Sequence, residues 1–293
     1  MISTSTPKVP RTNNTHSGYV PAMHAQAAGE FTEQASVDGR VTPTATATIG
    51  LKDDGLYRGD GAFEVIRLYG GRPFALDDHI ARLERSAASL RLEFDRMALR
   101  AEIAALLAEA GPIEGQLRLI VTRGGRRIAA TEDVPVHGAT IALAAITYQT
   151  TLILNGVKSL SYGANMLATR LAKERGAEEA LLVRPDGIVL EPPTSSIFWV
   201  ADGALRTTAL QEGVLESITR DRLLKAIPGI KEGAWTLDEV KGASEAFLAS
   251  TAREVQAVAS IDGVALPEAP GPRTREAQEA FAAARDRELA AES

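Results

Sequence analysis

Lys158 is the residue in this chain best suited to covalent chemistry. It follows the apolar run Leu152-Ile153-Leu154, which reads as a short strand, and precedes a helix-like stretch from about Ala164 to Arg175. Burying an ammonium there is costly unless it is paired or neutralised. Desolvation lowers a lysine's pKa and frees the amine to condense with a carbonyl. The alternative is an edge lysine whose stem covers apolar surface while its head reaches water, and position alone favours that alternative. Other residues bear on the choice. Glu191 closes a second apolar stretch, and Arg82 shares a side of a helix with His79, three residues earlier. Ser217-Ile218-Thr219-Arg220 opens a helix whose terminal amides and dipole suit an anion. Ser250-Thr251-Ala252 ends a strand in a small polar turn. Taken singly, Arg82 reads equally well as a solvated helix charge, and Glu191 as an ordinary hairpin residue.

The elements that must position these residues follow from pattern. Val37-Asp38-Gly39-Arg40-Val41 is a hairpin signal. A glycine-rich loop at 53–61 leads into an alternating strand that ends at Gly70-Gly71. Its glycines match only half of a dinucleotide fingerprint, and no helix follows. Ile80, Leu83, Ala87 and Leu90 lie on one face of an amphipathic helix at 77–92, with Asp77 and Asp78 at its N-terminal end. A second helix is expected from about 95 to 110, strands at 116–122 and 139–146, and a basic turn between them at Arg123–Arg127. Further on, strands are expected at 180–183, 188–190, 196–200, 204–207 and 247–250. A helix begins at Ser217, and an alanine-rich helix spans about 273–289. Strand runs mixed with helices predict an α+β fold.

Composition narrows the function classes. The chain has 293 residues, 45% hydrophobic and 24% charged, which is ordinary globular usage. A formal net charge of -6 argues against nucleic acid as a partner. With no cysteine, disulfides and thiolate metal sites are excluded. Two of the four histidines, His16 and His24, fall in a polar N-terminal stretch, so a histidine metal site is not expected. No apolar run is long enough to span a bilayer, and a cytoplasmic location is the natural expectation. Residues 1–28 read as a disordered tail, with Met23 a candidate natural start. There is no Gly-x-Ser-x-Gly elbow, His-Glu-x-x-His or P-loop.

A pyridoxal-phosphate site needs the residue types noted above. It requires a lysine for the Schiff base, a carboxylate at the pyridine nitrogen, and cationic and backbone donors for a phosphate dianion. Over about residues 35–270, from Gly59-Asp60-Gly61-Ala62-Phe63-Glu64 to Ser260-Ile261-Asp262-Gly263, the chain resembles the class IV (fold type IV) pyridoxal-phosphate aminotransferase family. That family includes branched-chain and D-amino-acid aminotransferases and aminodeoxychorismate lyase, and its motifs recur here in family order. The resemblance implies that Lys158, in Lys158-Ser159-Leu160, forms the Schiff base. It implies that Arg82, in His79-Ile80-Ala81-Arg82-Leu83, binds the phosphate. Glu191, followed by Thr194-Ser195-Ser196-Ile197-Phe198, would hold the pyridine nitrogen. Ile218 and Thr219 would give backbone bonds to the phosphate, and Thr251 and Ala252 would serve phosphate and substrate carboxylate. Two departures stand out: Ser217 where glycine is common, and Pro192-Pro193 after the glutamate.

The resemblance further implies a small N-terminal α/β sandwich at 29–147, a connection at 148–151, and a larger pseudo-barrel, cofactor-binding domain at 152–293. It also implies a homodimer or larger homo-oligomer. The expected activity is transamination between an amino donor and a 2-oxo acid. The alternative is the lyase, releasing pyruvate and 4-aminobenzoate; that branch commonly has threonine where this chain has Val65. Arg126 or Arg127 could fork onto a substrate carboxylate or could belong to an exposed charged hairpin. Tyr57, Arg67 and Tyr162 read as packing or surface-pair residues rather than pocket residues.

Overall fold

The computed structural model describes residues 31–291, and the expected tail at 1–28 lies outside them. Among the described residues the strands form two sheets. The first contains β1 (Gln34–Val37), β2 (Arg40–Pro43), β3 (Gly61–Tyr69), β4 (Arg72–Pro73), β5 (Gly115–Thr122) and β6 (Arg127–Glu132), in the order β2-β1-β6-β5-β3-β4. Its first hairpin turns on Asp38 and Gly39, both at positive φ, which matches the twist of the flanking strands. A short helix, α1 (Asp54–Arg58), stands where a loop was expected, capped by the Asp53 carboxylate, which accepts the Gly55 N–H at 2.8 Å.

Helices α2 (Leu76–Ser89) and α3 (Arg96–Ala110) cover one face of this sheet. Alternation sorts the strand residues. Leu117, Leu119 and Val121 of β5 join Ile66, Leu68, Ile80, Leu83, Leu99 and Leu106 in the core beneath the helices. Gln116, Arg118 and Ile120 point the other way, as do Phe63 and Val65 of β3. That second face forms a wall of the cavity described below.

The second sheet curls. It contains β7 (Thr140–Thr147), β8 (Glu179–Val183), β9 (Ser196–Ala201), β10 (Ala204–Thr208), β11 (Lys231–Gly233), β12 (Glu245–Ser250), β13 (Glu254–Ile261) and β14 (Val264–Ala265). Its path runs β11-β10-β9-β12-β13-β7-β8, with β14 on β13. β7 pairs with β8 and β13, although its residues fall inside the stretch expected for the N-terminal domain. α4 (Gly163–Glu174), α5 (Ile218–Ala226), α6 (Leu237–Lys241) and α7 (Pro272–Ala291) pack around the sheet. β9 is buried on both faces: Phe198 stacks on Phe247 at 5.0 Å under α5 and α7, while Ile197 and Trp199 enter a second cluster. Such a strand reads as a continuous apolar run rather than an alternation. This mixed architecture is the expected α+β arrangement.

Two expected strands are corrected. The stretch 188–190 makes only isolated bridges, Ile188 to Thr236 and Val189 to Val183. Leu152–Leu154 is a 3-10 turn and not a strand, and Leu152 and Ile153 are 76% and 87% exposed. The run is too short for any period to separate strand from turn. Lys158 lies in an extended segment docked on the start of β3. Its C=O accepts the Phe63 N–H at 3.0 Å, and Leu160 N–H donates to Gly61 C=O at 2.8 Å. Glycine is required at 61, because a Cβ there would sit 2.6 Å from Leu160 Cδ1 and 2.5 Å from the Val121 carbonyl oxygen.

Candidate active site

A cavity of about 790 Å³ opens between the outer face of the first sheet and one end of the second. β12 pairs antiparallel with β9, setting Ala249 opposite Ser196. The Glu191–Ser196 segment and the Ser250–Arg253 turn therefore reach the same sheet end, and both line the cavity. The segment carrying Lys158 reaches it from β3 and α2: Lys158 N–H donates to Ser86 Oγ at 3.1 Å.

Lys158 Nζ lies 4.3 Å from the centroid of the Phe63 ring and 5.9 Å from that of Tyr162. Burial, reinforced by the Arg82 charge and opposed by Glu64 and Glu191, lowers its pKa to about 8. Glu191 lines the same cavity. Its Oε1 accepts the Leu215 N–H at 2.7 Å and its Oε2 accepts the Ser196 hydroxyl at 3.3 Å. Burial outweighs these bonds and raises its pKa to about 7.

Arg82 is buried at the cavity wall, forked onto Glu64 and bonded through Nη1 to the Glu216 carbonyl at 2.9 Å. Ser217, directly after Glu216, caps α5 by accepting the Arg220 N–H at 3.3 Å. The amides of Ile218 and Thr219 stand at the open first turn of that helix, while their side chains are buried. The Ser217 departure thus serves as a helix cap. Thr251 and Ala252 line the cavity with Arg82 and Ser217, while Ile218 and Thr219 are not among its lining residues.

Arg126 and Arg127 do not line it. Arg126 pairs with Asp53 at 3.0 Å and Asp38 at 2.7 Å, and Arg127 pairs with Glu102 at 2.7 Å. These carboxylates engage both guanidiniums, which are partly buried at 28% and 19% side-chain exposure. The cavity instead receives Arg118 and Arg253. Arg118 forks onto Glu132, with Nη2–Oε2 at 2.8 Å. Arg253 pairs with the buried Glu179 and donates to Gln256 at 2.6 Å. Strand alternation could have placed Arg118 opposite the core; nothing in the sequence says that this face meets a cavity.

Tyr162, expected to be a packing residue, also lines the cavity. Its ring meets Phe63 edge to face at 5.4 Å, and its hydroxyl donates to the Pro193 carbonyl. His137 also lies at the cavity, its pKa pushed down to about 4 by burial and then by Arg253. Gln116 Nε2 and Ser195 Oγ are buried there without a partner among the described residues. Tyr57 is exposed and Arg67 pairs with Glu114, both away from the cavity lining. No group of three or more His, Cys, Asp or Glu side chains suited to a metal occurs among the described residues, and no helix there is long and apolar enough to cross a membrane.

Comparison with known proteins agrees with this geometry. Residues 61–261 match the family model for amino-transferase class IV. A D-alanine aminotransferase of Listeria innocua is 34% identical over 254 residues, covering 78% of this chain and 87% of that protein. The crystal structure of a branched-chain aminotransferase from Thermoproteus uzoniensis with norvaline superimposes with a TM-score of 0.75 at 28% identity, over 85% of this chain and 93% of that one. A hypothetical aminotransferase from Mycobacterium tuberculosis in its PLP-bound form shares the fold, with a TM-score of 0.78 at 24% identity over 86% and 98% of the two chains. The matched span runs from the glycine that receives the lysine segment to the last long strand of the second sheet, and the chain belongs to the class IV aminotransferase family.

Proposed function

We propose that the cavity binds pyridoxal 5′-phosphate and that the enzyme moves an amino group between an amino acid and a 2-oxo acid, with Lys158 as the catalytic residue. The observation that carries this reading is convergence. A lysine of lowered pKa, a buried carboxylate and a cup of Arg82, Ser217 and Thr251 line one space large enough for cofactor and substrate together. The donor set fits the group end to end: Lys158 suits its aldehyde, Glu191 its ring nitrogen, and Arg82 with the amides of Ile218 and Thr219 and the Thr251 turn its phosphate. When bound, the cofactor supplies the electron sink that lets the substrate's Cα–H bond break.

The protein's residues do the remainder. Burial beside Phe63 and Tyr162 keeps much of the Lys158 amine neutral and nucleophilic at mildly basic pH. Lys158 Nζ would serve as the base that takes the substrate's Cα proton and as the acid that gives it back. Leu215 and Ser196 hold the Glu191 carboxylate in one orientation, where a protonated ring nitrogen would keep it ionised. Arg118, the cross-strand neighbour of Val65 on the same cavity wall, takes the carboxylate-binding role expected of Arg126 or Arg127. Val65 offers no hydroxyl where the lyase branch commonly has threonine, which supports transamination. We place the enzyme in the cytoplasm as a homodimer or larger homo-oligomer. A cysteine-free composition suits a reducing compartment, and the exposed Leu51, Leu56, Tyr57, Leu152 and Ile153 suit contact between copies.

The test is half-reaction spectroscopy. A panel of D- and L-amino acids and amines is offered to the cofactor-loaded protein, and the visible band of the lysine-bound cofactor should convert to that of its amine form. Failure of every donor to convert the band, together with pyruvate release from aminodeoxychorismate, would overturn the transaminase reading. Lys158→Ala should lose the lysine-bound band.

A further inference from the structure

Glu64 breaks the pattern of its own strand. Ala62, Ile66 and Leu68 share its face of β3 and enter the core beneath α2, where an apolar side chain at 64 would complete the row. A carboxylate with no solvent exposure stands there instead. A buried charge of this kind persists only with close partners. Its Oε1 accepts Arg82 Nε–H at 2.7 Å, its Oε2 accepts Arg82 Nη2–H at 2.6 Å, and His79 Nδ1 lies 2.8 Å from Oε2. His79 is itself buried, and burial lowers its pKa, so it donates Nδ1–H as a neutral ring.

The donors of Arg82 can be followed one by one. Of the five N–H bonds of a guanidinium, Glu64 takes two and the Glu216 carbonyl a third. One hydrogen is left on each terminal nitrogen, at a cavity wall adjoining the open amides of α5. We infer that Glu64, supported by His79, is a positioning residue for Arg82. It touches no ligand. It engages the donors that face away from the cavity and thereby sets the rest to receive an anion. This inference rests on the phosphate reading of the cup given above.

Orientation and charge make opposite predictions. Glu64→Gln raises the net positive charge of the cup, so if charge governed, phosphate would bind more tightly. If orientation governs, the fork is released and binding weakens. The measurement is equilibrium binding of pyridoxal 5′-phosphate and of pyridoxal to cofactor-free protein, read by absorbance, for the wild type and the variant. The phosphate ester's advantage over pyridoxal should fall by about tenfold or more in Glu64→Gln, with pyridoxal affinity held within about twofold. A merely structural role would weaken both ligands alike. Glu64→Asp keeps the charge but is one methylene too short to reach both nitrogens, and should also lose part of the advantage. An advantage unchanged or increased in either folded variant overturns the inference. A wild-type protein that shows no advantage for the phosphate ester would instead overturn the phosphate reading of the cup.

Discussion

Lys158 and Glu191 depart from their ordinary proton affinities for the same reason, burial at one cavity, and the departures have separate consequences. A lysine lowered to about 8 offers a free amine above that pH rather than above 10.5. The rate at which cofactor-free protein captures pyridoxal phosphate should therefore rise with pH and level off just above 8, as stopped-flow absorbance would show. A carboxyl raised from 4.5 to about 7 is protonated in both folded and unfolded chains below 4.5. Its cost to folding appears as pH climbs from 4.5 and is complete above 7. Glu191→Gln removes that cost and keeps an acceptor for Leu215 N–H. The variant should be more stable than the parent by about 1–3 kcal/mol at pH 8 and equal to it near pH 4.5, while turnover falls steeply. Urea titration of the cofactor-free proteins checks the stability difference. Glu64 has the opposite sign: Arg82 and His79 overcome its burial and hold its pKa at about 2. Its stabilisation is present above 4.5 and is lost as pH falls toward 2.

At the scale of elements, a buried carboxylate also anchors the last helix. Glu245 of β12 accepts the N–H groups of Arg273 and Thr274 at 3.0 and 2.8 Å and the Thr274 hydroxyl at 2.7 Å, which satisfies the first turn of α7. Gly271 leaves the room this requires, since a Cβ there would lie 2.4 Å from Glu245 Oε2. Phe281 and Ala277 of the same helix pack over Phe74, Phe198 and Phe247. Glu245→Ala should cost about 2–4 kcal/mol in urea titration, because it strands three donors at once, two of them buried. A loss under 1 kcal/mol would mean that packing alone seats the helix.

At the scale of the molecule, ionic and hydroxyl contacts join the two sheets behind the cavity. Tyr69 of β3 donates to Glu254 of β13 at 2.7 Å, and Arg285 of α7 bonds the same carboxylate at 2.9 Å. Arg222 of α5 links Asp78 of α2 to Glu288 of α7. The helices bearing Arg82 and the phosphate turn are thereby tied at their outer surfaces. The uncovered apolar pair Leu152 and Ile153 lies beside Thr150, Thr151 and Leu154, which line the cavity. Replacing both with aspartate should lower the molecular mass seen in sedimentation equilibrium. A mass that does not change would remove this patch from the contact between copies.

Local pattern made much of this protein legible. The amphipathic spacing of α2, the alternation of β3 and β5, and the apolar runs of β9 and β12 each carry their signal within a few neighbouring residues. So do the segments around Arg82, Lys158, Glu191 and Ser217, so the kind of chemistry could be read before any contact was known. The turn at 152–154 was not legible, because three apolar residues have no period. Nor was the choice among arginines. Arg126 and Arg127 sit in a turn whose carboxylate partners, Asp38, Asp53 and Glu102, are distant in sequence, and Arg118 faces a cavity that exists only because a second sheet closes over it. Sequence determined which groups this chain brings to the chemistry, because side-chain type and local period are properties of neighbours. Tertiary structure alone decided which of those groups meet, because burial and pairing are set by segments far apart in the chain.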